Sequence, residues 1–241
     1  FLGCGVAAAI SAGFNAPLAG IIFAHEAILR HFSLRAIAPI FIASFSASAF
    51  GEYFFGNAQV LFDLTQSVPP LNEILPVLII LGPIFAIVTM LFMYSLRMAG
   101  SIAGRFEHHK HMLPFIAALV CGSVGVVFPE VLGLGVEAIN DLIAGNISFS
   151  RVSILLFAKI GVTALCIGFG LFGGVFSPAL FIGVSAGSLA AGLFVAIGYS
   201  DLEQVIIISG MAAVGASVIG APITSVLIVL ELTGSYEYGV A

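Results

Sequence analysis

Charge is scarce in this chain. Seven Lys or Arg and twelve Asp or Glu serve 241 residues, 8% in all, where a soluble globular domain carries about a quarter. That shortage excludes an ordinary water-soluble domain. It also leaves no basic stripe for a nucleic acid, which is not expected as a partner. The net charge of −5 rests on too few groups to define a partner of any kind. Tryptophan is missing altogether, and there are only three cysteines. Cys4, Cys121 and Cys166 sit in apolar runs at unrelated spacings, so they read as buried thiols, not as a disulfide framework or a metal site. HExxH, paired carboxylates and a Ser-His arrangement at a plausible site are all lacking. The chain is therefore not expected to be an enzyme, to bind a metal or to carry a cofactor.

What is there is apolar: 61% of the residues are hydrophobic. Crossing a bilayer takes about 20 such residues per helix. Ile74–Leu96 meets that length, Met112–Pro129 falls slightly short, Ile160–Ser200 is long enough for two passes, and Gln204–Leu230 also qualifies. Phe1–Ala24 is apolar but interrupted at Gly13-Phe14-Asn15-Ala16-Pro17. The expected class is an all-α, multi-pass integral membrane protein in contact with lipid. Because the chain opens at Phe1 inside an apolar run, it reads as a fragment.

The sparse charges carry orientation. Arg30 and Arg35 follow the first helices, and Arg97, Arg105 and Lys110 follow Ile74–Leu96. Between them the stretch from Glu52 to Glu73 holds Asp63 and no Lys or Arg. The positive-inside rule then puts residues 27–35 and 97–111 in the cytoplasm and 52–73 outside. His108, His109 and His111 flank Lys110 in a polar loop, where a solvated turn explains them better than metal ligation does. Gly183-Val184-Ser185-Ala186-Gly187 is a small-xxx-small pattern suited to close helix packing in lipid.

A repeat recurs at an offset of 205 residues. Gly5, Ala7, Ala8, Ala16, Pro17 and Glu26 return as Gly210, Ala212, Ala213, Ala221, Pro222 and Glu231, without a gap. Each copy reads as two short helices joined at a break, with Pro in the first turn of the second helix. Asn15 is placed to cap that second helix in the first copy. Broken, repeated apolar segments point to a transporter-type fold. The offset makes residues 1–50 the end of one repeat and 72–241 most of another, within a single transmembrane domain. Glu26 and Glu231 each close an apolar helix. A structural role, capping backbone or meeting water at a helix end, ranks ahead of a functional one. Lys159, inside an apolar stretch, is expected to snorkel or to pair with a carboxylate.

The run Gly168-Phe169-Gly170-Leu171-Phe172-Gly173-Gly174-Val175-Phe176-Ser177-Pro178 breaks the longest apolar stretch without a charge. Backbone there must be satisfied internally or line a cavity. Pro178 marks the start of the next helix. N–H groups gathered at a helix N-terminus attract an anion. A plain glycine hinge accounts for the same residues, and physics alone leaves both open.

Gly174-Val175-Phe176-Ser177-Pro178 resembles the GxFxP filter segment of the chloride channel and transporter (CLC) family. Lys159-Ile160-Gly161, Phe181-Ile182-Gly183, Phe14-Asn15-Ala16-Pro17-Leu18-Ala19-Gly20 and Val131-Leu132-Gly133-Leu134-Gly135 resemble the same family in the same order. The resemblance implies an inverted-repeat bundle of tilted and broken helices, here incomplete, assembled as a homodimer. It implies chloride as the transported ligand, bound by the backbone of Gly174, Val175, Phe176, Ser177 and Pro178, with the N–H groups of Val175 and Phe176 foremost. A change that moves this backbone, such as Gly174→Val, is then expected to cost more than Ser177→Ala. Proton-coupled members commonly carry a second Glu after the one matching Glu26, and here that position is Ala27. The expectation is accordingly a channel, or an atypically coupled transporter with Glu26 on its proton path. A chloride/proton antiporter and a carrier of another solute stand as alternatives.

Overall fold

A computed structural model describes residues 1–55, 69–106 and 110–234. Every regular element among them is helical: α1 (Leu2–Phe14), α2 (Pro17–Phe23), a π-helical turn (Ala24–Leu29), α3 (Leu34–Phe55), α4 (Leu71–Gly104), α5 (Leu113–Val127), α6 (Val136–Ile143), α7 (Phe149–Gly168), α8 (Phe176–Ala196), α9 (Glu203–Ile219) and α10 (Pro222–Thr233). Single 3₁₀ turns stand at Pro129–Val131 and Ser200–Leu202. Residues 34–54, 72–104, 149–168 and 176–196 are long and apolar enough to cross a membrane. At 34 residues, α4 is about 51 Å long, more than the ~30 Å hydrocarbon core, so it tilts or projects. Asp63, Glu107, His108 and His109 lie outside the described residues; His111 is exposed in a turn.

The chain divides into two compact units, Phe1–Val68 with Ile219–Ala241, and Pro69–Val218. In the first, α1 and α2 pack on α3, and α2 meets α10. A β-carbon at Gly20 would stand 2.7 Å from the Ala7 carbonyl oxygen, so only glycine lets α2 approach α1 this closely. Serine hydroxyls tie the break to α3: Ser44 Oγ donates to the Pro17 carbonyl at 2.7 Å, and Ser48 Oγ donates to Asn15 Oδ1 at 3.0 Å.

In the second unit α8 is central, with residues 179–187 all buried. Gly183 and Gly187 turn toward α9. A β-carbon at Gly183 would lie 2.8 Å from Met211 Cα and closer still to the Gly210 carbonyl oxygen; one at Gly187 would lie 2.7 Å from Ile207 Cα. The small-residue pattern therefore brings two backbones into contact, where dispersion can hold helices that lipid does not drive together. The three thiols are free and half-buried, less enclosed than their apolar neighbours in sequence suggested.

Candidate functional site

The two copies of the repeat break alike. Asn15 is left-handed (φ 50°) and Gly220 occupies the same region (φ 72°). Ala16 (φ −123°, ψ 73°) and Ala221 (φ −130°, ψ 74°) follow, and Pro17 and Pro222 open the next helices. Asn15 does not cap α2, contrary to the expectation above. A left-handed residue at this point closes α1, and its side chain is turned to Ser48. The cap of α2 comes from the far end of α10: Glu231 accepts hydrogen bonds from the N–H groups of Leu18 at 2.8 Å and Ala19 at 2.7 Å. Glu26 does the same for α10, accepting from the N–H of Ile223 at 3.1 Å, the N–H of Thr224 at 2.8 Å and the Thr224 hydroxyl at 2.7 Å. Each carboxylate thus sits on the N-terminus of the other copy's helix. This reciprocity requires α2 and α10 to run antiparallel, as halves of an inverted repeat do. An N-cap contributes about 1 kcal/mol and charge on the helix dipole a further ~0.3–1 kcal/mol.

Glu26 lies in the π-helical turn with His25 and Ala27. His25 is buried; its Nδ1 hydrogen-bonds the Ile21 carbonyl at 2.9 Å, so that nitrogen is the donor. Its ring stacks on Phe32 with centroids 5.6 Å apart. His25 Nε2 is buried without a hydrogen-bond partner among the described residues. π-Turns inside helices often mark functional positions.

In the other unit α7 ends at Gly168 and α8 begins at Phe176, two residues before Pro178. Val175 is the N-cap residue (φ −86°, ψ −11°), and Pro178 is the third helical residue instead of the first. The first backbone bond of the ladder runs from Ala179 N–H to the Val175 carbonyl at 3.0 Å. The N–H groups of Val175, Phe176 and Ser177 precede that ladder, and Pro178 has none. Phe172, Gly173 and Gly174 are exposed, and no charged side chain occurs from Gly168 to Pro178. The positive end of a 21-residue helix therefore opens at an accessible glycine turn, a ready anion site. A β-carbon at Gly174 would meet nothing within 4 Å. A β-carbon there gives the backbone no steric reason to move, so the N–H of Val175 is the more direct handle on this site.

The segment from Val131 to Gly135 braces this terminus. Ser177 Oγ donates to the Leu134 carbonyl at 3.0 Å. Lys159 on α7 is buried and does not snorkel, and among the described residues it meets no carboxylate. Its Nζ donates to the carbonyls of Val131 at 2.7 Å and Gly133 at 3.2 Å. Nothing in the spacing of the chain announced those partners, because both are main-chain atoms. A cavity of about 490 Å³ lies alongside, lined by Pro129, Glu130, Leu134, Gly135, Glu137 and Asp141 among others. Arg151 bonds Glu130 there at 2.6 Å. Among the described residues no three His, Cys, Asp or Glu gather to hold a metal.

The family described as voltage gated chloride channel matches residues 1–241. The H(+)/Cl(-) exchange transporter ClcA of Vibrio parahaemolyticus is 30% identical over 98% of the chain and 52% of its own length. Its counterpart from Yersinia pestis is 33% identical over 98% and 51%. The chain thus spans about half the length of these relatives. The crystal structure of a slow cyanobacterial Cl−/H+ antiporter superposes with a TM-score of 0.85 at 24% identity, covering 98% of the chain and 57% of the antiporter. A CLC-type fluoride/proton antiporter gives 0.80 at 26% identity, over 97% and 58%.

Proposed function

The chain belongs to the voltage gated chloride channel family, and on that footing we propose that the protein it represents exchanges chloride for protons across a membrane. Chloride is held at the head of α8 by the N–H groups of Val175 and Phe176, with Gly174, Ser177 and Pro178 shaping the turn. The observation that carries this reading is that helix N-terminus, open at a turn devoid of charged side chains. Backbone dipoles bind an anion firmly enough to select it and loosely enough to release it. A carrier of cations or organic solutes would want acidic or polar side chains at this break, and it has none but Ser177.

Exchange takes the place of the channel expected from Ala27. The relatives named above support it, being exchangers by name. The proton route then differs from the one expected: Ala27 cannot carry a proton, and Glu26 commits both oxygens to the N-terminus of α10. His25 is the titratable group in the same turn whose Nε2 has no partner among the described residues. The protein is further read as a homodimer, with residues 14–26 and 221–231 in its interface. Leu18 and Ile223, equivalent in the two copies, are apolar and exposed, which suits that role.

The test is the chloride reversal potential of the full-length protein in liposomes under a pH gradient. We expect a stoichiometric shift with pH that survives Glu26→Gln. A potential indifferent to pH would restore the channel. A shift abolished by Glu26→Gln would make Glu26 the proton carrier.

A further inference from the structure

We propose that Lys159 is the positioning residue of the anion site: its buried ammonium fixes the 131–135 segment against α8, the helix whose N-terminus forms the site. The inference rests on the reading of the α8 N-terminus as a chloride site.

Lys159 is 2% exposed, on a helix apolar enough to cross a membrane. Its partners are two neutral carbonyls and the ring of Phe181, 4.8 Å from Nζ to the centroid. None is an anion. A buried charge without a counterion is costly and in membrane proteins usually functional.

The partners explain what it does. Val131 and Gly133 belong to the segment whose Leu134 carbonyl receives the Ser177 hydroxyl, in the first turn of α8. Gly133 (φ 59°) and Gly135 (φ 73°) hold left-handed conformations on either side of that carbonyl. Phe181, one turn further along α8, packs against Gly135, where a β-carbon would stand 2.9 Å from the ring. One ammonium therefore grips the segment through its carbonyls and the helix through a ring. In a medium of low dielectric its charge also reaches further than in water. A chloride at the helix head and this ammonium would stabilise one another, so each should strengthen the other by linkage.

The experiment measures chloride affinity of the full-length protein by calorimetry, with sodium gluconate as the reference, and chloride-over-nitrate preference in liposomes. Lys159→Met should weaken chloride binding tenfold or more and reduce the preference. Lys159→Arg, which keeps charge and donors, should stay within about threefold of the wild type. Chloride should raise the melting temperature of the wild type and of Lys159→Arg more than that of Lys159→Met. A folded Lys159→Met with wild-type affinity and preference overturns the proposal, as does Lys159→Arg impaired to the same degree. Should Lys159→Met fail to fold, Ser177→Ala decides. It cuts only the bond from the segment to α8 and should weaken chloride three- to tenfold; wild-type affinity there overturns the proposal. A wild-type protein that binds no chloride overturns the site reading itself, and this inference with it.

Discussion

Val175→Pro in the full-length protein is expected to weaken chloride binding about 10- to 150-fold while leaving the fold intact. Proline removes one N–H and little else at this position. The backbone at Val175 (φ −86°) is close to what a pyrrolidine ring requires. The residue before it is Gly174, which has no β-carbon to clash with the ring. A hydrogen bond to a charged group is worth about 1.5–3 kcal/mol, and each ~1.4 kcal/mol is a tenfold change in affinity. Val175→Ala, which keeps the N–H, is the control and should stay within about threefold. Isothermal titration with chloride reads both. Equal affinities in the two variants would mean that the donor is elsewhere.

Gly183→Leu should abolish folded protein, and Gly161→Leu should not. Both glycines lie within helices long and apolar enough to cross a membrane, α8 and α7. Composition and propensity cannot tell them apart. A β-carbon at Gly183 runs into the α9 backbone at Gly210 and Met211, which cannot yield as a flexible side chain does. At Gly161 it meets nothing within 4 Å, and the position is exposed. Separating α8 from α9 would forfeit the packing of both helices, a loss of more than ~4 kcal/mol and beyond the range of ordinary substitutions. Size-exclusion chromatography in detergent distinguishes the outcomes. A monodisperse Gly183→Leu with the wild-type melting temperature would show that the two helices do not meet closely.

Much of the architecture could be read from the chain because lipid imposes a strict grammar. Apolar length and the glycine run placed α7 and α8 on either side of one break, and the Ala-Pro pairs placed the breaks of the repeat. What stayed hidden was long-range and polar. Glu26 and Glu231 read as helix-end carboxylates, yet their partners lie 197 to 213 residues away and, apart from the Thr224 hydroxyl, are backbone N–H groups, which leave no mark in side-chain identity. The same blindness applies to Lys159, held by carbonyls. Asn15 was legible as a helix-boundary residue but not as which boundary, since asparagine serves both as a cap and in the left-handed region. The π-helical turn at Ala24–Leu29 had no signal, because none of its residues is a type that the wider turn requires. Ala27 pointed to a channel only because one side chain was weighed alone; the rest of the chain aligns with exchangers.

The account turns on where the anion sits. Crystals of the full-length protein grown in bromide, with data collected at the bromine absorption edge, test it most directly. The account predicts an anomalous peak within hydrogen-bonding distance of the N–H groups of Val175 and Phe176, at the head of α8. Bromide peaks elsewhere along the helices, with none at that N-terminus, would contradict it.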